Sequence, residues 1–168
     1  MSLVRPARGV KSYADLLAEA RHRVREVMPW DLAASLDSAD GPLVVDVREP
    51  AEFALAHIAV AINVPRGLLE AACDWGYDDT VPTLAGARDK AIVVVCRSGS
   101  RSLLAADVMQ AMGFVDVASL QTGVRGWNDY EQPLLDASGQ VVDADAAERW
   151  LAVRVRAEQL GPPASGPA

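Results

Sequence analysis

Two stretches of the chain are continuously apolar over the length of a strand: Leu43-Val44-Val45-Asp46-Val47, broken only by its aspartate, and Ala91-Ile92-Val93-Val94-Val95. Unbroken runs rich in Val and Ile predict strands buried on both faces, as in a parallel sheet, rather than half-exposed ones. Val115 to Leu120 alternates and predicts a third strand; Ala61-Ile62-Asn63-Val64 predicts a short fourth. Helical spacing recurs elsewhere. Ser12 to Arg25 places Tyr13, Leu16, Leu17, Ala20 and Val24 on one stripe, with Ser12 at the N-cap position. A second helix starts near Pro29 and carries Leu32, Ala33 and Leu36. A third runs from Ser102 to Met112 on Leu104, Ala105, Val108, Met109 and Met112, with Gly113 as its stop. Asp143 to Leu160 predicts a C-terminal helix with Ala146, Trp150, Val153 and Leu160 along its stripe. The order strand, helix, strand around residues 91–120 implies a parallel α/β sheet.

At 168 residues the chain has the size of one domain with short extensions. Its longest apolar run, Ala91 to Cys96, is far short of the roughly 20 residues that cross a bilayer, and the first residues lack the apolar core of a secretory signal. Two cysteines make no disulfide framework, so the expectation is a reducing, cytoplasmic location. A net charge of −7 repels phosphate backbones and anionic lipids, which argues against nucleic acid and membrane as partners. Any anion site must be built locally against that field. Two His and two Cys offer no metal-ligand spacing, so neither metal nor cofactor is expected. The composition of residues 161–168 predicts a disordered tail.

The chemistry concentrates in Val95-Cys96-Arg97-Ser98-Gly99-Ser100-Arg101-Ser102. A buried strand ends, a cysteine follows at its carboxyl end, and a helix begins a few residues later. Ligand sites of open parallel sheets lie at that end. A short loop running into a helix can turn its amides inward as an anion-binding nest, with Gly99 supplying backbone freedom. Arg97 and Arg101 add positive charge, and all three effects favour thiolate over thiol at Cys96.

These residues carry a resemblance. The segment Cys96 to Ser102, together with Asp46-Val47-Arg48-Glu49-Pro50-Ala51-Glu52-Phe53 and His57-Ile58, resembles the rhodanese-like family. Ala61-Ile62-Asn63-Val64-Pro65 matches its "AINIP" element, and Gly123 with Trp127 its late glycine–tryptophan element. The resemblance implies a central parallel sheet flanked by helices on both faces, spanning residues 25–135. An N-terminal helical extension would occupy 1–24, and a C-terminal helix and tail 136–168. It also implies sulfurtransferase activity of the thiosulfate type. Cys96 would be the nucleophile and persulfide carrier, and Arg97, Ser98, Gly99, Ser100 and Arg101 would bind a small anionic sulfur donor. The acceptor would be cyanide, a thiol or a protein thiol. The alternative is a persulfide relay or regulatory binding module that acts only with a protein partner.

Cysteine phosphatases resemble one another in a Cys-x5-Arg loop; Cys96 to Arg101 is Cys-x4-Arg, one residue shorter, which suits a single sulfur better than a phosphate. Arg97 directly after the cysteine looks more like the thiosulfate type than the arginine-poor mercaptopyruvate type. The family's usual "GHIPGA" reads Ala56-His57-Ile58-Ala59-Val60-Ala61, and its double glycine reads Thr122-Gly123, which bears on loop geometry. Asp46, Arg48 and His57 are expected to support the site. Asp46 would pair with Arg48 or Arg101, Arg48 would line the pocket or pair with Glu49 or Glu52, and His57 reads as structural. Cys73, in an apparent insertion over residues 66–90, is either an inert thiol or one that resolves the persulfide.

Overall fold

The computed structural model describes residues 9–162. In chain order the elements are α1 (Tyr13–Arg21), β1 (Arg25–Val27), α2 (Pro29–Leu36), β2 (Leu43–Asp46), α3 (Pro50–Leu55), β3 (Ile62–Asn63), α4 (Leu69–Ala72), α5 (Pro82–Ala85), β4 (Ala91–Val95), α6 (Ser100–Ala111), β5 (Asp116–Leu120), α7 (Gly123–Asp129) and α8 (Ala144–Leu151). The five strands form one sheet in the order β1-β5-β4-β2-β3, and every pairing is parallel.

The two apolar runs are the central strands, in register from Leu43 against Ile92 to Asp46 against Val95. Successive side chains of a strand point to opposite faces. Val45, Ile92, Val94 and Cys96 therefore join one core with Leu17, Ala20, Leu84, Leu103 and Met109. Val44, Val93 and Val95 join the other with Leu32, Val124, Trp127, Ala147 and Leu151. Helices α1, α4, α5 and α6 thus cover one face, and α2, α7 and α8 the other. Burial on both sides is the physical reason for the unbroken hydrophobicity of these strands.

Several elements differ from the pattern-based reading. β1 pairs its three residues with β5 at the sheet edge and has no hydrophobic signature of its own. α1 is well predicted: Ser12 Oγ accepts the Asp15 N–H, and the Asp15 carboxylate accepts the Ser12 N–H in return. Only Leu17 and Ala20 of its stripe are buried within the helix, however, while Tyr13 and Leu16 remain exposed. α8 stops at Leu151 instead of reaching Leu160, and it buries Ala147 and Leu151 in place of Ala146 and Trp150. The predicted disordered tail lies outside the described residues, apart from Gly161 and Pro162.

The chain leaves β2 toward β3 on one side and β4 toward β5 on the other. The connections after β2 and β4 therefore separate at the carboxyl edge of the sheet, and a crevice opens between them. The loop that starts at Cys96 occupies it.

Candidate active site

The Cys96 loop takes its shape from α7. The carbonyl oxygens of Cys96 and Arg97 accept hydrogen bonds from the N–H groups of Val124 (2.8 Å) and Arg125 (3.0 Å). With those carbonyls turned outward, the amides of Arg97, Ser98, Ser100 and Arg101 donate to no protein group among the described residues. Gly99 has φ +99°, and a Cβ there would lie 2.0 Å from the Gln121 carbonyl oxygen. Gly123 has φ +64°, and its Cβ would lie 2.5 Å from the Cys96 and Arg97 backbone. Glycine at both positions lets the loop lie directly on the β5–α7 turn.

Above the loop is a cup of about 410 Å³ lined by Cys96, Arg97, Ser98, Ser100, Arg101, Glu52 and Tyr13. Five of the six predicted loop residues face it; Gly99 is buried beneath. Cys96 Sγ accepts the Gly99 N–H at 3.2 Å and lies 3.4 Å from Ser102 Oγ. Ser102 Oγ in turn donates to the Gly99 carbonyl at 3.2 Å and touches Ser119 Oγ at 2.8 Å. The sulfur thus lies beside one amide and one hydroxyl at the N-terminus of a 12-residue helix, where the positive end of the helix dipole is.

The three arginines near the site differ in what they hold. Arg48 is buried and grips Asp46 through Nη2 at 2.7 Å, and it also donates to the Ala56 carbonyl at 2.8 Å. Asn63 Nδ2 donates to the carbonyls of Asp46 and Arg48, closing that knot. Arg101 makes two 2.8 Å bonds to the Glu52 carboxylate. Hydrogen bonding to Arg101 holds the Glu52 carboxyl below the usual carboxylate range, and the same pair raises Arg101. Arg97 makes no ion pair among the described residues, and its Nε is buried without a partner. It is therefore the cation left open to a ligand.

Asp46 pairs with Arg48 rather than Arg101, which makes both of them braces of the crevice. His57 is not among the residues lining the cup: Nδ1 lies 2.8 Å from the Phe53 carbonyl oxygen, the ring stacks on Phe53, and its backbone pairs with Leu135. Ala56, where the family has glycine, is extended at φ −164°, a conformation any residue adopts. Cys73 is buried, and desolvation pushes its thiol up to about 11, so it stays protonated at neutral pH. Ser102, Ser119, Glu52 and Tyr13 escaped sequence reasoning as site residues. Only Ser102, following Arg101 directly, carried a signal of position. Among the described residues no cluster of His, Cys, Asp and Glu could hold a metal ion, and no helix is long and apolar enough to cross a membrane.

Comparison with known proteins agrees with this architecture. The family pattern of the rhodanese-like domain matches residues 29–130. A sulfurtransferase of Allochromatium vinosum is 28% identical, over 69% of this chain and 99% of its own length. The senescence-associated protein DIN1 of Raphanus sativus is 32% identical, over 72% of this chain and 67% of its own. A solved protein of unknown function from Rhodopseudomonas palustris, described as a possible tyrosine phosphatase, superposes with a TM-score of 0.68 at 29% identity. It covers 77% of this chain, which covers 98% of it. The chain belongs to the rhodanese-like domain family of sulfurtransferases.

Proposed function

We propose that this protein is a thiosulfate-type sulfurtransferase that carries sulfane sulfur as a persulfide on Cys96. The observation that carries this reading is the cup itself: Cys96 Sγ at its floor, four unpartnered loop amides around it, and the unpaired Arg97 guanidinium at its wall. The Cys96 thiolate attacks the outer sulfur of thiosulfate. The S–S bond of the donor breaks and its electron pair leaves with sulfite, whose departing charge Arg97 neutralises. The inward amides then hold the anionic outer sulfur of the persulfide. A thiophilic acceptor attacks that sulfur in a second step, and Cys96 leaves again as thiolate. Two half-reactions on one cysteine give ping-pong kinetics.

The name of the Allochromatium relative supports sulfur transfer. The Cys-x4-Arg loop is the argument against phosphate chemistry of the kind suggested for the Rhodopseudomonas protein. Incubation with thiosulfate followed by intact mass tests the reading. Wild type is expected to gain one sulfur, roughly 32 Da, and the Cys96→Ser variant none. A wild type that gains nothing, or a Cys96→Ser variant that gains as much, overturns it.

A further inference from the structure

Arg97 borders two cavities. One is the cup over Cys96; the other is a cleft of about 220 Å³ walled by Leu55 and Ala56 at the end of α3 and by Trp150 and Leu151 of α8, with the paired Arg48 and Glu52 also on its lining. Leu55 and Trp150 are 47% and 48% exposed, so each presents an apolar surface to this space. α8 lies beyond residues 29–130, the segment that carries the family likeness. It is docked firmly: Asp143 caps its N-terminus, Ala147 and Leu151 are buried in the core, and Asn128 Nδ2 donates to the Ala144 carbonyl. Docking of α8 thereby places Trp150 on the lining of the cleft, together with Arg97.

The charges there are unequal. Asp46 satisfies Arg48 and Glu52 satisfies Arg101, while Arg97 has neither ion pair nor a partner for its buried Nε among the described residues. The cleft therefore joins one open cation to an aromatic and aliphatic wall, and it shares Arg97 and Glu52 with the cup that holds Cys96. Its volume holds about seven waters at ~30 Å³ each, which admits a ring-sized body.

We infer that this cleft is an acceptor subsite for a small organic thiol bearing a carboxylate, with Trp150 as its specificity-determining residue. The inference rests on the persulfide reading of Cys96. The carboxylate engages Arg97, the apolar body lies against Trp150 and Leu55, and the thiol reaches into the cup. The acceptor thiolate attacks the outer sulfur of the Cys96 persulfide and forms a new S–S bond. The bond from Cys96 Sγ breaks, its electron pair stays on Cys96, and the product leaves as an organic persulfide anion. The zero-valent sulfur changes owner without oxidant or reductant.

The test loads the full chain with thiosulfate, confirms loading by intact mass, and compares 2-sulfanylbenzoate with cyanide as acceptor. In Trp150→Ala the ratio of the two kcat/KM values is expected to fall about tenfold, and Trp150→Phe to recover most of it. Benzoate, which has no thiol, should compete with 2-sulfanylbenzoate on wild type and lose that effect on Trp150→Ala. Loading with an unchanged ratio, or benzoate competing equally on both, overturns the subsite alone. A wild type that never gains sulfur overturns the persulfide reading and the acceptor role together.

Discussion

Ser119 on β5 and Ser102 on α6 meet in the core with their hydroxyl oxygens 2.8 Å apart. Among the described residues the Ser119 hydroxyl has no other partner, so its proton goes to Ser102. The single Ser102 proton is then divided between the Gly99 carbonyl at 3.2 Å and Cys96 Sγ at 3.4 Å. A thiolate draws it toward sulfur, since hydrogen bonds to charged groups contribute about 1.5–3 kcal/mol. Ser102→Ala is expected to slow iodoacetamide alkylation of Cys96 at neutral pH about tenfold, and Ser119→Ala to slow it less. An unchanged rate in Ser102→Ala would place that proton on Gly99 alone.

Gly99 and Gly113 both have positive φ, +99° and +91°, but a Cβ at Gly113 meets nothing within 4 Å while one at Gly99 strikes the Gln121 carbonyl. Gly113→Ala therefore pays only the left-handed backbone penalty, about 1–2 kcal/mol. Gly99→Ala adds a clash with backbone that cannot rotate away, and should cost more than about 3 kcal/mol and abolish sulfur loading. Urea titrations of the two variants measure the difference. Equal losses would show that strain, not close approach, demands glycine at the loop.

The two site ion pairs should respond very differently to removal of one partner. Asp46→Asn leaves the Arg48 charge unpaired in the core, where side-chain exposure is 2% or less for both residues. A loss of about 3–5 kcal/mol is expected. Glu52→Gln breaks a pair that is one-third exposed on each side, and about 1 kcal/mol or less is expected. Thermal melts of the two variants check the order.

Acid should weaken the Glu52–Arg101 brace in a defined window. The native Glu52 carboxyl lies below its ordinary value of 4.5 because Arg101 hydrogen-bonds the charged form. Such a group contributes its full stability above the unfolded value and loses it as pH falls through the lower native one. Between pH 5 and pH 2, wild type is accordingly expected to lose more stability than Glu52→Gln does. Parallel acid curves would show that the pair makes no net contribution.

Some of this was legible in the residues alone. β2 and β4 announced themselves because strands covered on both faces must be apolar throughout. The cysteine loop did so because a cysteine, a glycine and two arginines fall within six consecutive residues. β1 was not legible: Arg25-Glu26-Val27 is a strand only because β5 offers it an edge. The reach of α8 and the direction of Trp150 were misread for a related reason. A helical stripe says which residues share a face, but the core that docks against it decides which face is buried.

The order of motifs along the chain thus determined the fold class, the family resemblance and the candidate cysteine, since each is a local or periodic property. Which arginine stays open was a tertiary decision. Glu52 reaches Arg101 and Asp46 reaches Arg48 only once β2 and β4 are paired in register. Among the described residues those pairings leave Arg97 without a carboxylate partner. Tyr13 and Trp150 likewise reach the site from the two ends of the chain because α1 and α8 bury their apolar residues on opposite faces of the same sheet.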